Sequence, residues 1–583
     1  MNKMKIHAFT AAVVMTCASA QAQTLQEIVG KTENERFDLA GNDLRQLIAK
    51  NPAKGEYYFY YAENSYKRGE TDSAFVFYNK GIEANATYPL NYVGLGKCLL
   101  LQAKTDEAKT QFYKANTLGG GKSAELLRKT AEAWLVTDTK NPDEAIALAN
   151  AAIKLEPKNP ENYILLGDAQ LEKNPSDGST PIKNYNIATT LNPKSVKGIL
   201  RVGKLYQRGR NYQLALDKYK EALSIDSTFA PAFREIAELY FLAGQPAKSI
   251  ENWQKYLKLN DSPYARYRYM GAFYSNKQYT EAIREYESLK KTEFSNLYFE
   301  RLAGYSYYEM GDKTDKEAYA KGRVAIEAFF KQAGPDFKYI GTDFKYKGLL
   351  LLKTGNDSLA KVELEKAMSM EPKLKPEIYS ELAVTAMKAK KYNDCSNYYE
   401  LKYASDSANF GTNDFFSLGR AYFYTALGLK KEANDLREVQ KKKKKPEETT
   451  EVIAKESDAK NLFIKSDSAF SKTTQKNATW PIGYFWRARA NSYLDPTNEL
   501  WLAKPYYEKM ISLITKPEEK TGTYKSNLIE AYEYLGSYYV TTKDKTKADE
   551  TWTLVKELDP ANEKAKNYFS PPKPAPAGAP KSK

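Results

Sequence analysis

Histidine is almost missing from this chain. Its 583 residues include one, His7, inside an apolar leader. The rest of the protein therefore has no imidazole base, no Ser-His-Asp or Cys-His dyad and no histidine metal ligand. Cysteine is scarce too: Cys17, Cys98 and Cys395 are the three, and no two are close enough in sequence for a zinc or redox pair. Past the leader no apolar run is long enough to span a bilayer. Gly119-Gly120-Gly121 follows no strand and lacks the Lys-Ser/Thr of a phosphate loop, so it reads as a flexible turn. No catalytic residue, no cofactor and no metal site is expected. Carboxylate pairs of the glycosidase kind are the one catalytic arrangement that counting leaves open, and binding is the expected activity.

The leader itself is informative. Lys3 and Lys5 precede an apolar stretch from Ile6 to Ala18 and then Ala20-Gln21-Ala22, the layout of a signal peptide over residues 1–22 with cleavage before Gln23. A lipid anchor at Cys17 is disfavoured, because Val14-Met15-Thr16 puts no small residue directly before it. The mature chain is expected in the periplasm or envelope of a Gram-negative bacterium, without a transmembrane segment. Cys98 and Cys395 lie in distant parts of the chain at helix-packing positions, and are expected as buried, free thiols.

What the chain has in quantity is tyrosine, with 46 copies, in a composition 42% hydrophobic and 28% charged. That is a folded protein's composition. Some of the net charge of +15 sits in the run Lys441 to Lys445 and in the tail. Elsewhere Lys and Glu mix as on solvated helix faces, and nucleic acid is not an expected partner.

The chain also repeats. From Val196 to Phe229 one helical face carries Ile199, Val202, Gly203 and Tyr206. After a turn at Arg208 to Asn211, a second face carries Tyr212, Ala215, Tyr219 and Ala222. One period later come Phe233, Ile236, Ala237, Tyr240, Gly244, Trp253 and Tyr256. Related sets appear at Tyr92, Leu95, Gly96, Ala108 and Phe112, at Phe344, Gly348, Ala360 and Leu364, and at Leu535, Gly536, Ala548 and Trp552. Small residues at one position let two helices approach, and aromatics fill the space beside them. Pro157, Pro193, Pro372 and Pro560 fall where second helices must end.

This spelling resembles the tetratricopeptide repeat (TPR), a helix pair of about 34 residues. The resemblance implies an all-α, right-handed superhelical solenoid of about thirteen TPR-like pairs over residues 23–570. Residues 571–583 (PPKPAPAGAPKSK) then form a Pro/Lys-rich disordered tail. Several pairs depart from the pattern. Asn174 to Thr180 and Val136 to Pro142 lengthen inter-helix turns, Asp315 to Gln332 makes a long second helix, and the charged stretch near 430–457 is expected as an exposed loop.

By resemblance, ligand-facing side chains come from the first helix of each pair. In the middle of the chain they are Lys197, Leu200, Lys204, Gln207 and Arg208, then Arg234, Glu238 and Phe241, then Arg268: a basic strip suited to an acidic segment or a C-terminal carboxylate. A second cluster joins Phe416, Arg420, Phe423 and Tyr424 to Phe485, Arg489 and Tyr493, aromatics beside arginine as at interface anchors. No pair combines the lysine and asparagine by which some TPR domains clamp chaperone tails. The expected role is a non-catalytic scaffold or adaptor for envelope proteins or peptides; the alternative is a glycan- or peptidoglycan-binding accessory protein that stacks sugars on the aromatics.

Overall fold

The computed structural model describes residues 24–136, 139–312, 314–442 and 449–570. The expected leader, Cys17 and the Pro/Lys-rich tail lie outside the described residues. Those described form thirty α-helices and no strand. None of these helices is long and apolar enough to cross a membrane.

The pair 196–225 shows how local sequence sets the hairpin. Ser195 caps the first helix, its hydroxyl accepting from the Gly198 amide at 3.2 Å, and the helix Val196–Arg208 runs to Gly209. Arg210 then takes a left-handed conformation (φ 60), and Asn211 caps the second helix, Tyr212–Ile225. The same left-handed position is Gly69, Gly244 and Gly355 in other turns, but Ala103, Lys277, Lys390 and Lys543 in others again. A residue with a Cβ costs about 1–2 kcal/mol there, so the turn geometry is imposed by the packing of the pair. Asp226 ends the second helix and accepts from the Thr228 amide and hydroxyl, both at 2.8 Å, to steer the chain into the next pair. Pro157, Pro193, Pro372 and Pro560 each fall just past the end of a second helix.

The chain divides into two compact units between Ala333 and Gly334. In the first, successive hairpins stack so that aromatic and small residues alternate through local cores, with Phe59, Tyr78, Tyr185, Tyr219, Trp253 and Phe329 almost wholly enclosed. The expected long second helix is Ala318–Ala333. The lengthened turn at 174–178 is pinned by Asp177, whose carboxylate accepts from the amides of Ser179 and Thr180.

The second unit holds the largest departure from regular pairing. Where an exposed loop was expected near 430–457, residues 443–448 lie outside the described residues, but on either side the helix Thr412–Lys442 continues for 31 residues and its partner Thr450–Lys476 for 27. Lys, Glu and Gln are good helix formers, and the extensions are laced together: Lys430 and Arg437 reach Glu456 at 3.3 and 2.6 Å, and Lys455 reaches Glu432 at 2.7 Å. Cys98 and Cys395 are both buried and free, and burial pushes each thiol up to about 11.

Candidate partner-binding surfaces

One contact recurs through both units. A methyl group built on Gly203 would lie 2.6 Å from the Tyr219 ring, on Gly96 2.4 Å from Phe112, on Gly348 2.7 Å from Leu364, and on Gly536 2.7 Å from Trp552. Each glycine sits on a first helix, directly against a large side chain sixteen residues later on the second. Ala108, Ala215, Ala360 and Ala548, all enclosed, occupy the same place in each second helix. The same steric lock at the same spacing on successive helix pairs is the mark of one repeat type.

These are tetratricopeptide hairpins.

The chain is similar to the C-terminal part of a TPR protein of Cytophaga hutchinsonii (28% identity, 51% of this chain and 97% of that one, TM-score 0.39). It is also similar to a TPR protein of Parabacteroides merdae (21%, 45% and 98%, 0.30) and to one of Thermus thermophilus (21%, 32% and 98%, 0.28). No protein-family model and no curated protein matches it.

The TPR hairpins place the expected basic strip in the first unit, but the cations are not bare. Lys197 reaches Glu161 at 2.7 Å, Lys204 reaches Glu235 at 3.4 Å, and Arg268 grips Glu238 through two nitrogens, its Nε at 2.7 Å from the carboxylate. Arg201, which the sequence did not single out, forks onto Asp168 at 2.8 and 2.9 Å. Each pair joins one first helix to the first helix of the next hairpin, forming a ladder of ion pairs. Leu200 is buried and belongs to the core, and Gln207 accepts from the Tyr219 hydroxyl at 2.8 Å. Of the strip, Arg208 is exposed, and Phe241 lies under the Arg268 guanidinium, 5.6 Å from ring centroid to carbon.

A second constraint reaches the strip from much farther away in sequence. The turn between the first two helices brings Glu33, Asn34 and Glu35 back onto the hairpins around residues 197–256. Glu35 receives the Arg234 guanidinium and, at 2.8 Å, the Tyr256 hydroxyl. Asn34 donates to Asp226 at 2.8 Å, and Glu33 lies 3.8 Å from Lys197. Burial alone would raise the Glu33 carboxyl, but Lys67, Lys197 and Lys129 outweigh it and hold it well below the usual carboxylate range. Deeper in the same unit, the enclosed Glu63 carboxylate takes both the Lys97 ammonium and the Tyr78 hydroxyl, while the Lys97 nitrogen sits 3.9 Å from the centre of the Tyr66 ring.

Beyond Phe241 the ladder opens into a groove of about 350 Å³ along three successive first helices, Ala230–Leu242, Pro263–Ser275 and Leu297–Met310. Its walls are Phe241, Tyr267, Tyr274, Tyr298 and Tyr305 with Arg268 and Arg301, and no carboxylate lines it. Arg301 Nε donates to the Tyr305 hydroxyl at 3.0 Å, and its guanidinium lies 5.7 Å from the Tyr298 ring centre. Gly271 forms part of the floor, and a methyl there would meet its first neighbour, Leu302, only at 3.9 Å. None of the tyrosines of this groove was singled out from the sequence, because nothing in the sequence marks them as exposed on one side.

The second expected cluster separates into core and surface. Phe423 is buried against Phe463 and Trp486, and Phe485 against Tyr507; both are packing residues and not partner contacts. Tyr493 lies flat on Phe463, 4.8 Å between centroids. Arg489 holds Glu530 at 2.8 Å and covers Trp486 at 5.3 Å. Phe416, Arg420 and Tyr424 share one face of their helix, and the Arg420 guanidinium stands 5.9, 5.7 and 5.4 Å from the ring centres of Phe416, Tyr424 and Trp486.

Proposed function

We propose that this chain is a non-catalytic scaffold of the bacterial envelope, and that it holds an extended segment of a protein partner in the groove lined by Phe241, Tyr267, Tyr274, Tyr298 and Tyr305. The row of aromatic rings that three successive first helices present along one groove, with Arg268 and Arg301 beside them, is the observation behind this reading. Aromatic rings fixed on helices supply contact area at little entropic cost, and arginine adds hydrogen bonds to backbone carbonyls or acidic side chains. Export through the leader at residues 1–22 and work in the periplasm belong to the same proposal. A helix ladder that is already charge-balanced offers little further attraction, so the groove, with its aromatic area, and not the Lys197–Arg234 strip, is where an extended segment gains most.

The test uses the full chain and Gly271→Phe. Space at Gly271 directs the new ring into the groove without displacing the core. Proteins cross-linked to the native chain in intact cells and lost with Gly271→Phe would be groove ligands. An unchanged set of cross-linked proteins would remove the groove from the proposal. Enrichment on purified peptidoglycan, lost in the same variant, would replace a protein partner by a glycan stacked on the same tyrosines.

A further inference from the structure

The arginines that face the same way along the first helices have carboxylates in hand. Arg201 has Asp168, Arg234 has Glu35, Arg268 has Glu238 and Arg489 has Glu530. Arg420 differs. Among the described residues it makes no hydrogen bond and no ion pair, and its enclosed Nε donates to nothing. Its surroundings are aromatic: Phe416 and Tyr424 one turn to either side on its own helix, and Trp486 from the next hairpin. Trp486 is itself held between two guanidinium groups, since Arg489 lies 5.3 Å from its centre.

We propose that Arg420 is the anchor of a carboxylate-binding site in the unit that begins at Gly334. The three rings stand within 6 Å of the guanidinium carbon, while its donor edge is left without an acceptor from the protein. The terminal guanidinium nitrogens are not enclosed as Nε is, and no carboxylate of the protein meets them, so they stand open to an acceptor from outside. A planar carboxylate matches that edge with two parallel hydrogen bonds. The aromatic walls favour a flat anion over a tetrahedral one, and a phosphate would find no second cation paired with Arg420. The site rests on the scaffold reading only in taking its carboxylate from a protein, either a chain terminus or an Asp or Glu side chain.

The experiment uses the full chain and three fluorescein-labelled pools of octapeptides. One pool ends in a free carboxylate, one is the same set with C-terminal amides, and one is amidated but contains an internal Glu. Polarisation titrations are run on the native protein, Arg420→Gln, Arg420→Lys and Gly271→Phe. We expect one of the two carboxylate-bearing pools to bind at least ~10-fold more tightly than the plain amide pool. Arg420→Gln should abolish that preference, and Arg420→Lys should restore only a small part, because an ammonium lacks the fork. Preference for the first pool identifies a chain terminus, and preference for the third a side chain. Gly271→Phe lies in the other unit and should leave the preference unchanged, so that loss of groove binding and loss of this site are read separately. No preference in the native chain, or equal preference in native and Arg420→Gln proteins of matching thermal midpoint, would overturn the proposal.

Discussion

Glu35 and Arg234 are joined across 199 positions of chain, and the Tyr256 hydroxyl completes the grip on the same carboxylate at 2.8 Å. In a repeat array each hairpin normally touches only its neighbours, and the terminal hairpin is the first to open. Here the first turn of the array is fastened to its interior.

Glu35→Ala should therefore cost about 1–3 kcal/mol, the range for hydrogen bonds to a charged group, and the cost should be local. Hydrogen exchange is expected to quicken in both 25–50 and 226–256, although the two are far apart in sequence. Combining it with Arg234→Ala should cost less than the sum of the two single changes. Faster exchange in 25–50 alone would mean that the fastening does not hold the interior hairpins.

One substitution made at two glycines should act in opposite directions. At Gly203 the new methyl would lie 2.6 Å from the Tyr219 ring, so Gly203→Ala should lower stability by about 1–3 kcal/mol through overpacking, despite its better helix propensity. At Gly271 nothing stands closer than 3.9 Å, and Gly271→Ala should gain about 0.5–1 kcal/mol. Apparent urea midpoints followed by circular dichroism check both signs.

Acid should loosen the first unit early. Burial would raise the Glu132 carboxyl, but Lys129 at 2.8 Å, with Lys197 and Lys67, brings it down to about 2. A glutamate in the unfolded chain titrates near ~4.3. The stabilisation from this depressed group is complete above that pH and is lost as the pH falls toward 2. Urea midpoints should fall over this window, and Glu132→Gln should make the fall shallower. An identical slope in native and variant proteins would contradict the assignment.

The two thiols should be inert in the native state. Burial pushes Cys98 and Cys395 up to about 11, and the thiolate is the reactive form. At pH 8 a disulfide reagent should label both promptly in guanidinium and at least ~100-fold more slowly without it. Rapid labelling of the folded chain would show that one of the sites is open.

The hairpins were legible because their packing is local. Gly203 and Tyr219, or Gly536 and Trp552, stand sixteen residues apart, and the period that brings them together is written in the sequence. The charge state of the basic strip was not. Lys204 finds Glu235 in the next hairpin, and Arg234 finds Glu35 only after the chain has curved back, so partners of this kind fall outside any window that a periodic pattern covers. Phe423 and Phe416 show the same limit on a finer scale. They are seven residues apart on one helix, both at nominally ligand-facing positions, yet Phe423 is enclosed by Phe463 and Trp486 from two other helices. The stretch 430–457 misled for a different reason: its lysines and glutamates suit an exposed loop and an exposed helix equally, and the ion pairs that decide between them lie across the two helices.

That long pair also breaks the ruler of the array. At 1.5 Å per residue the helix Thr412–Lys442 measures about 46 Å, and the small-against-large contact that spans sixteen residues at Gly203 and Gly536 here joins Gly419 to Phe470. Any numbering of repeat positions carried forward from the amino-terminal hairpins slips between Gly419 and Phe470. It has to be reset on Ala488, in the next first helix, before equivalent residues in the two units can be matched.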